Sequence, residues 1–507
     1  MSVTSPDRHG AADVVIIGGG SAGAALAARL SENPSRTVAL LEAGHAYQPR
    51  DYPQVLLNSA QVGDADHDWG YTARANDQTR QIIALRGKAL GGSSAVNAGV
   101  AIRARADDFA KWAALGVEGW SFDEVMATFK ELENTPDGDD KFHGRSGPLP
   151  IRQHSDEQLT PSLRAFIDAC VYQGFPRIHD FNGTDQNGVG DVPLNVLDGV
   201  RQNTGLVYLT DEVRGRPNLT IAGDVLVDTV LFDGSIATGV VAADGTVYPA
   251  REVVLSAGSY GSPAILLRSG VGPAAELAAL GIDVVVDLPV GRRLQDQPIY
   301  GTAYALSPGA LEMTPPAGAL LWTASREAAV DELDLHVAGS HLIDGSYSPT
   351  GGAIVLAVAV VLPDSYGTVR LASRNPKEAP RIDFNFLATP RDRRRMIEGV
   401  KLSRAIARND VFAPFVNSEM LPGDAVSDDD ALAQAVETNL NAYGHPTSTA
   451  PMGGPDDPRA VVDSLGAVKG LVGLRVVDAS IIPQVPSAAP NLTTIMLAEH
   501  IAKKAYR

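Results

Sequence analysis

Near the start of the chain, Gly18, Gly20 and Gly23 are spaced as in a dinucleotide-binding turn, and Glu42 closes the apolar run that follows. The chemistry this spacing supports is capture of an adenine dinucleotide. Gly18 permits a sharp turn, Gly20 lets a pyrophosphate approach the backbone, and Gly23 lets helix and strand pack closely. Ser21 and Ala22 fall at the start of the following helix, whose free N–H groups and partial positive charge suit phosphates. Glu42 is placed to accept both hydroxyls of an adenosine ribose, which disfavours a 2′-phosphate. The residues of this unit leave NAD and FAD open.

The elements that must position these groups are legible around them. The run Val14-Val15-Ile16-Ile17 predicts a strand, the alanine-rich segment to Leu30 a helix, and Val38-Ala39-Leu40-Leu41 a second strand. A glycine triplet alone is a weak signal, but strand, turn, helix and acid within one unit make it a strong one.

With 507 residues, two domains or more are expected. A net charge of −18 argues against nucleic acid and anionic membrane partners. The single cysteine, Cys170, excludes an internal disulfide and a cysteine metal cluster, and its apolar surroundings predict a buried, inert thiol. The longest apolar run, 353–362, is too short to span a bilayer and predicts a central strand. No signal peptide is visible, so a soluble cytoplasmic protein is expected, as monomer or homodimer.

Further along, Asp68-Trp69-Gly70-Tyr71 predicts a ribbon or surface loop, and the small residues of 86–99 predict a backbone lying against something flat and polar. A helix is predicted from Asp107, and another after Ser121, with Glu124 in the capping-box position. Hairpin turns are predicted at Asp233-Gly234 and Asp244-Gly245. The run 253–258 and the helix after Ser262-Pro263 form a second strand–turn–helix. The expected class is α/β with two domains: a discontinuous Rossmann-like dinucleotide-binding domain from 1–155, 205–299 and 435–507, and a substrate domain from 156–204 and 300–434. The second is expected to be an antiparallel sheet flanked by helices. The basic run Arg391-Asp392-Arg393-Arg394-Arg395 predicts a solvated helix face, and His67 and His143 are expected in solvated loops. His336 lies in a strand of the second domain, where a pocket-facing and a structural role are both open. No pair of histidines has zinc-helix spacing, and no metal is predicted.

Taken together, the blocks resemble the glucose–methanol–choline (GMC) oxidoreductases nearly end to end. The family's first signature is matched by 86–97 with Asp108-Phe109-Ala110-Lys111-Trp112, and its second by 258–263 through 266–273. The segments 288–296, 363–371 and 474–480 resemble further blocks. The resemblance implies that the dinucleotide is FAD. It implies that Glu42 and the glycine turn hold the ADP half, and that Val227 pairs with adenine through its backbone. It further implies that Arg86, Leu90, Gly91, Gly92, Ser94, Asn97 and Ala98 run along flavin and pyrophosphate, and that Trp69, Ala257, Gly258, Tyr443, Asp478, Ala479, Asn491 and Thr493 contribute to the cofactor site. Some relatives bond flavin through a histidine where this chain has Val96, so non-covalent FAD is expected.

Flavin alcohol oxidation needs a base for the hydroxyl proton and an acceptor for the hydride. The block 443–453 resembles the family's catalytic histidine segment, which makes His445 the candidate base. A second active-site position, His or Asn in the family, falls on Ala489, which cannot hydrogen-bond a substrate oxygen. Asn491 is the catalytic candidate in its place, with Asn441, Tyr443 or water as alternatives. The implied activity is oxidation of a small primary or aromatic alcohol, with oxygen or another electron acceptor as second substrate. The alternatives on the same fold are a hydroxynitrile lyase and a light-driven decarboxylase.

Overall fold

A computed structural model describes residues 10–77 and 80–506. The glycine turn sits between the strand Ala12–Ile17 and helix α1, Ser21–Leu30, and the strand Val38–Leu41 follows. The two strands pair in parallel, from Val14 with Val38 to Ile17 with Leu41. Their continuous apolar runs are what a parallel sheet demands, because helices cover both faces. Leu219–Ala222 extends the sheet on one side. On the other side, residues of Val247–Leu255 pair in parallel with Ala12–Ile17 and then with Leu474–Val476. An antiparallel meander, Val227–Asp233 and Ile236–Ala242, grows from the same long strand, with turns at the two predicted Asp-Gly sites.

Helix α2, Gly258–Arg268, leaves the end of Val247–Leu255 as α1 leaves Ala12–Ile17, and it starts four residues earlier than the Ser262-Pro263 signal predicts. The carboxylate of Asp478 explains the early start: it accepts from Gly258 N at 2.8 Å and pins the first turn.

A second sheet is antiparallel, in the order Val416–Leu421, Pro298–Leu306, Ala353–Val360, Leu335–Ser340, Ala317–Thr323, Gly188–Asp191. The central strand is the predicted apolar run. Directly paired residues share a face. One row, Leu321, Val337, Val358 and Tyr300, belongs to the core built with Met396 and Val400 of helix α3, Pro390–Ala407. The opposite face carries Trp322, His336, Ala359 and Ile299 in one row, and Leu320, Ala338, Ala357 and Gly301 in the next. Its small side chains leave a hollow. A four-stranded sheet joins Thr72–Arg74 and Gln81–Ile83 to Thr368–Arg370 and Arg381–Asp383.

Helix α4, Pro490–Ala505, packs along α1. Ser21 Oγ donates to Asn491 Oδ1 at 2.6 Å, and Arg29 pairs with Glu499 at 2.8 Å. Both helices therefore begin at one place.

The basic run of α3 is only partly the solvated face the charges predict, with Arg393 and Arg394 exposed. Arg395 and Asp392 are fully buried, Arg395 pairs with Asp334 at 3.2 Å and with Asp392, and it donates to Leu362 O at 2.9 Å. His143 is also buried rather than solvated: Nδ1 lies 3.0 Å from Glu133 and Nε2 2.8 Å from Asp180. His67 is held by Tyr47 Oη at 2.8 Å and by Asp64. His143 and Arg395 are thus each held by a carboxylate from a distant part of the chain, Asp180 and Asp334. Cys170 is buried, as predicted. Among the described residues, no helix is long and apolar enough to cross a membrane.

Candidate active site

One cavity of about 1040 Å³ runs from the glycine turn to the loop of residue 445. That is at the upper end of small-molecule sites, roughly 300–1,000 Å³.

At its first end, Gly18 has φ +96°, and a Cβ there would lie 2.5 Å from Ser256 O, so only glycine makes this turn. A second glycine turn faces it: Gly91 N donates to Gly19 O at 2.8 Å, and a Cβ on Gly92 would fall 2.7 Å from Gly20 Cα. The two backbones form a cradle that side chains would fill. Gly20 caps α1 with no side-chain hydrogen bond, and no acid lies in the first turn, which leaves N–H groups for an anion. Glu42 accepts from Gly19 N and Gly44 N, each at 2.8 Å, and burial pushes its pKa up. A carboxylate has about four acceptor positions, so capacity for hydroxyl donors remains. Diphosphate and ribose fit these groups.

At the other end, His445 N donates to Asp296 Oδ1 at 2.8 Å, and Nδ1 lies 2.6 Å from Gln297 Oε1. Gln297 Nε2 donates to Val361 O at 2.9 Å and to Pro486 O at 2.8 Å. With both amide protons so placed, the atom facing His445 is an acceptor, and Nδ1 must be the donor. The neutral ring thus carries its proton on Nδ1. Nε2, with no partner among the described residues, offers a lone pair to the cavity. Burial, then the charge of Arg86 and the ring of His336, pushes the His445 pKa down to about 3, so the ring is neutral. Arg86 also ties the loop, donating to Gly444 O at 2.7 Å. Burial raises Asp296 to about 6.

Tyr443 lies against His445 at 4.5 Å between ring centroids, and His336 meets Tyr443 edge-on at 6.1 Å. Burial pushes His336 down to about 3 and Tyr443 up to about 12, so both rings are neutral.

The cavity is lined by Gly18, Gly20, Ser21, Ala22, Glu42, Trp69, Arg86, Gly92, Asn97, Ala98, Val227, Ala257, Gly258, Tyr443, His445, Asp478, Ala479 and Asn491. Five expected residues stand behind the wall instead. Gly23 packs against Gly18, where a Cβ would meet its carbonyl oxygen at 1.9 Å. Leu90 is fully buried against Gly19, and Gly91 bonds Gly19. Ser94 Oγ donates to Gly91 O at 2.6 Å, and Thr493 Oγ1 accepts from Ala104 N at 3.2 Å. They shape the backbone that the cavity presents. Asn491 gives its oxygen to Ser21, and Asn441 is exposed and donates to Asn439 O at 3.3 Å. Ala489 lines the cavity with an inert methyl. Sequence reasoning missed Gln297, whose signal was a polar pair, Asp296-Gln297, just before an apolar strand.

The GMC oxidoreductase family profiles match residues 12–299 and 363–498. The oxygen-dependent choline dehydrogenase of Vibrio vulnificus is 34% identical, over 97% of this chain and 93% of that protein. A crystal structure of pyridoxine 4-oxidase from Mesorbium loti superposes with a TM-score of 0.89 at 33% identity, covering 97% of this chain and 99% of that one. A fungal aryl-alcohol oxidase shares the fold, with a TM-score of 0.81 at 22% identity over 99% and 100% of the chains.

Proposed function

Since the chain belongs to the GMC oxidoreductases, FAD enzymes acting on CH–OH groups, we propose that it oxidises a small primary or aromatic alcohol to the aldehyde, with His445 as the base. The observation that carries this reading is the bare Nε2 of His445 in the same cavity as the two glycine turns. When bound, FAD supplies the two-electron acceptor that the side chains lack. The diphosphate would lie in the cradle of Gly20 and Gly92, with Ser21 and Ala22 at the helix terminus, Glu42 at the ribose and Val227 towards adenine. Asn97, Ala98, Ala257, Gly258, Asp478, Ala479 and Asn491 would border the flavin half. In this division, 1–155, 205–299 and 435–507 bind the cofactor, and 156–204 and 300–434 shape the substrate chamber.

His445 takes the hydroxyl proton on Nε2 while Gln297 stabilises the Nδ1–H and so the cation that forms. A positioned base of this kind contributes roughly 10²–10⁴-fold. Ala489 leaves the substrate oxygen with one fewer partner. The apolar sheet face beside His445 favours an aromatic body, and one similar structure is that of a pyridoxine 4-oxidase. His445→Ala should keep its flavin colour yet lose bleaching by alcohol under anaerobic conditions. Bleaching at the wild-type rate would remove His445 from the role. Loss of bleaching in the wild type across an alcohol panel would point to lyase chemistry instead.

Val96 offers no nucleophile where some relatives attach flavin, so FAD is held non-covalently. Acid precipitation should release the flavin to the supernatant, and a yellow pellet would contradict this.

A further inference from the structure

Both ring nitrogens of His336 are buried, and neither has a hydrogen-bond partner. The residue is 3% exposed and lines the cavity. A buried polar group without a partner is costly, and native structures rarely leave one so. His336 stands on the sheet face turned towards the cavity, among Ile299, Leu320, Ala338, Val355 and Ala357, and the residues this sheet contributes include no charged side chain. A single tyrosine ring, Tyr443, separates it from His445. The cavity wall beside His336 is therefore apolar, and Tyr443 stands between this imidazole without partners and the base. A neutral imidazole has one N–H donor and one bare nitrogen, the complement of a hydroxyl.

Building on the alcohol-oxidation reading, we propose that His336 is a substrate-recognition residue. The preferred substrate is an aryl alcohol with a neutral ring hydroxyl, which His336 meets while His445 meets the carbinol. The sheet residues that line the cavity offer no carboxylate to a quaternary ammonium, so choline is a poor fit.

The test uses the FAD-loaded protein and two readouts. By calorimetry, 3- or 4-hydroxybenzaldehyde should bind about tenfold tighter than benzaldehyde, the value of one good hydrogen bond. His336→Phe should erase that preference while leaving flavin content and benzaldehyde affinity unchanged, and His336→Asn should restore part of it. Anaerobic bleaching by the hydroxybenzyl alcohols against benzyl alcohol should repeat the pattern in kcat/KM. Equal binding of the two aldehydes by the wild type overturns the proposal, as does equal weakening of both by His336→Phe, or tighter binding of choline than of either. If no alcohol bleaches the flavin, the oxidation reading fails, while the binding preference still decides the subsite.

Discussion

Val361 and Pro486 lie 64 and 189 residues from Gln297 in sequence, yet their carbonyls fix the orientation of its amide and so the tautomer of His445. A hydrogen bond to a charged group is worth about 1.5–3 kcal/mol. Gln297→Leu should therefore slow anaerobic flavin reduction by about 10- to 100-fold at unchanged flavin content, since under the proposed mechanism it removes the partner of the His445 cation. A loss of flavin with no change in rate would contradict this role. Asp296 adds a pH dependence. Its ionised form accepts from His445 N and Gln297 N, and burial puts its pKa at about 6. The rate should fall as pH drops through about 6, and Asp296→Asn should be slow without that limb; rapid-mixing spectra across pH check both. The place of His445 at the cavity was legible because a whole block of residues surrounds it. Gln297 was not, because its chemistry depends on which carbonyls take its protons, and only the fold brings those near.

Among elements, the two facing glycine turns depend on each other. Gly92→Ala would place a methyl 2.7 Å from Gly20 Cα at φ +51°, so the flavin-to-protein ratio of the purified variant should fall sharply. Gly234, in the hairpin at φ +61°, has nothing within 4 Å of its Cβ position. Gly234→Ala should lose roughly 1 kcal/mol of stability and keep its flavin. The first turn was legible from spacing because a tight dinucleotide turn tolerates few residues. The pairing of the two turns was not, since about 70 residues intervene, with α1 and the strand Val38–Leu41 among them. The basic run of α3 shows the opposite failure. Four arginines in five residues suggest solvent, but the arginine facing the sheet is neutralised by Asp334 and Asp392. Arg395→Ala leaves those carboxylates buried and uncompensated, and should cost about 3–5 kcal/mol, read as a lower midpoint of thermal unfolding.

For the molecule as a whole, one buried polar cluster sets limits on stability. Arg103 pairs with Glu133 at 2.6 Å, and His143 bridges Glu133 and Asp180. Burial opposes the charge on His143, but bonds to Asp180 and Glu133 outweigh it and raise the pKa to about 9. Its contribution is complete below the unfolded value of about 6.5 and is lost as pH rises through about 9. Glu133 and Asp180 are shifted down, so their contribution disappears only when pH falls through their lowered values. The melting temperature should decline between about pH 6.5 and 9, and His143→Asn should flatten that decline while lowering the neutral-pH value.

Ser21 and Asn491 touch although 470 residues separate them along the chain. The nucleotide-binding strand–turn–helix is therefore made some 470 residues before the wall that α4 sets against it. A product truncated before α4 should therefore hold no flavin even with its first sheet formed, which the absorbance of the purified fragment would show.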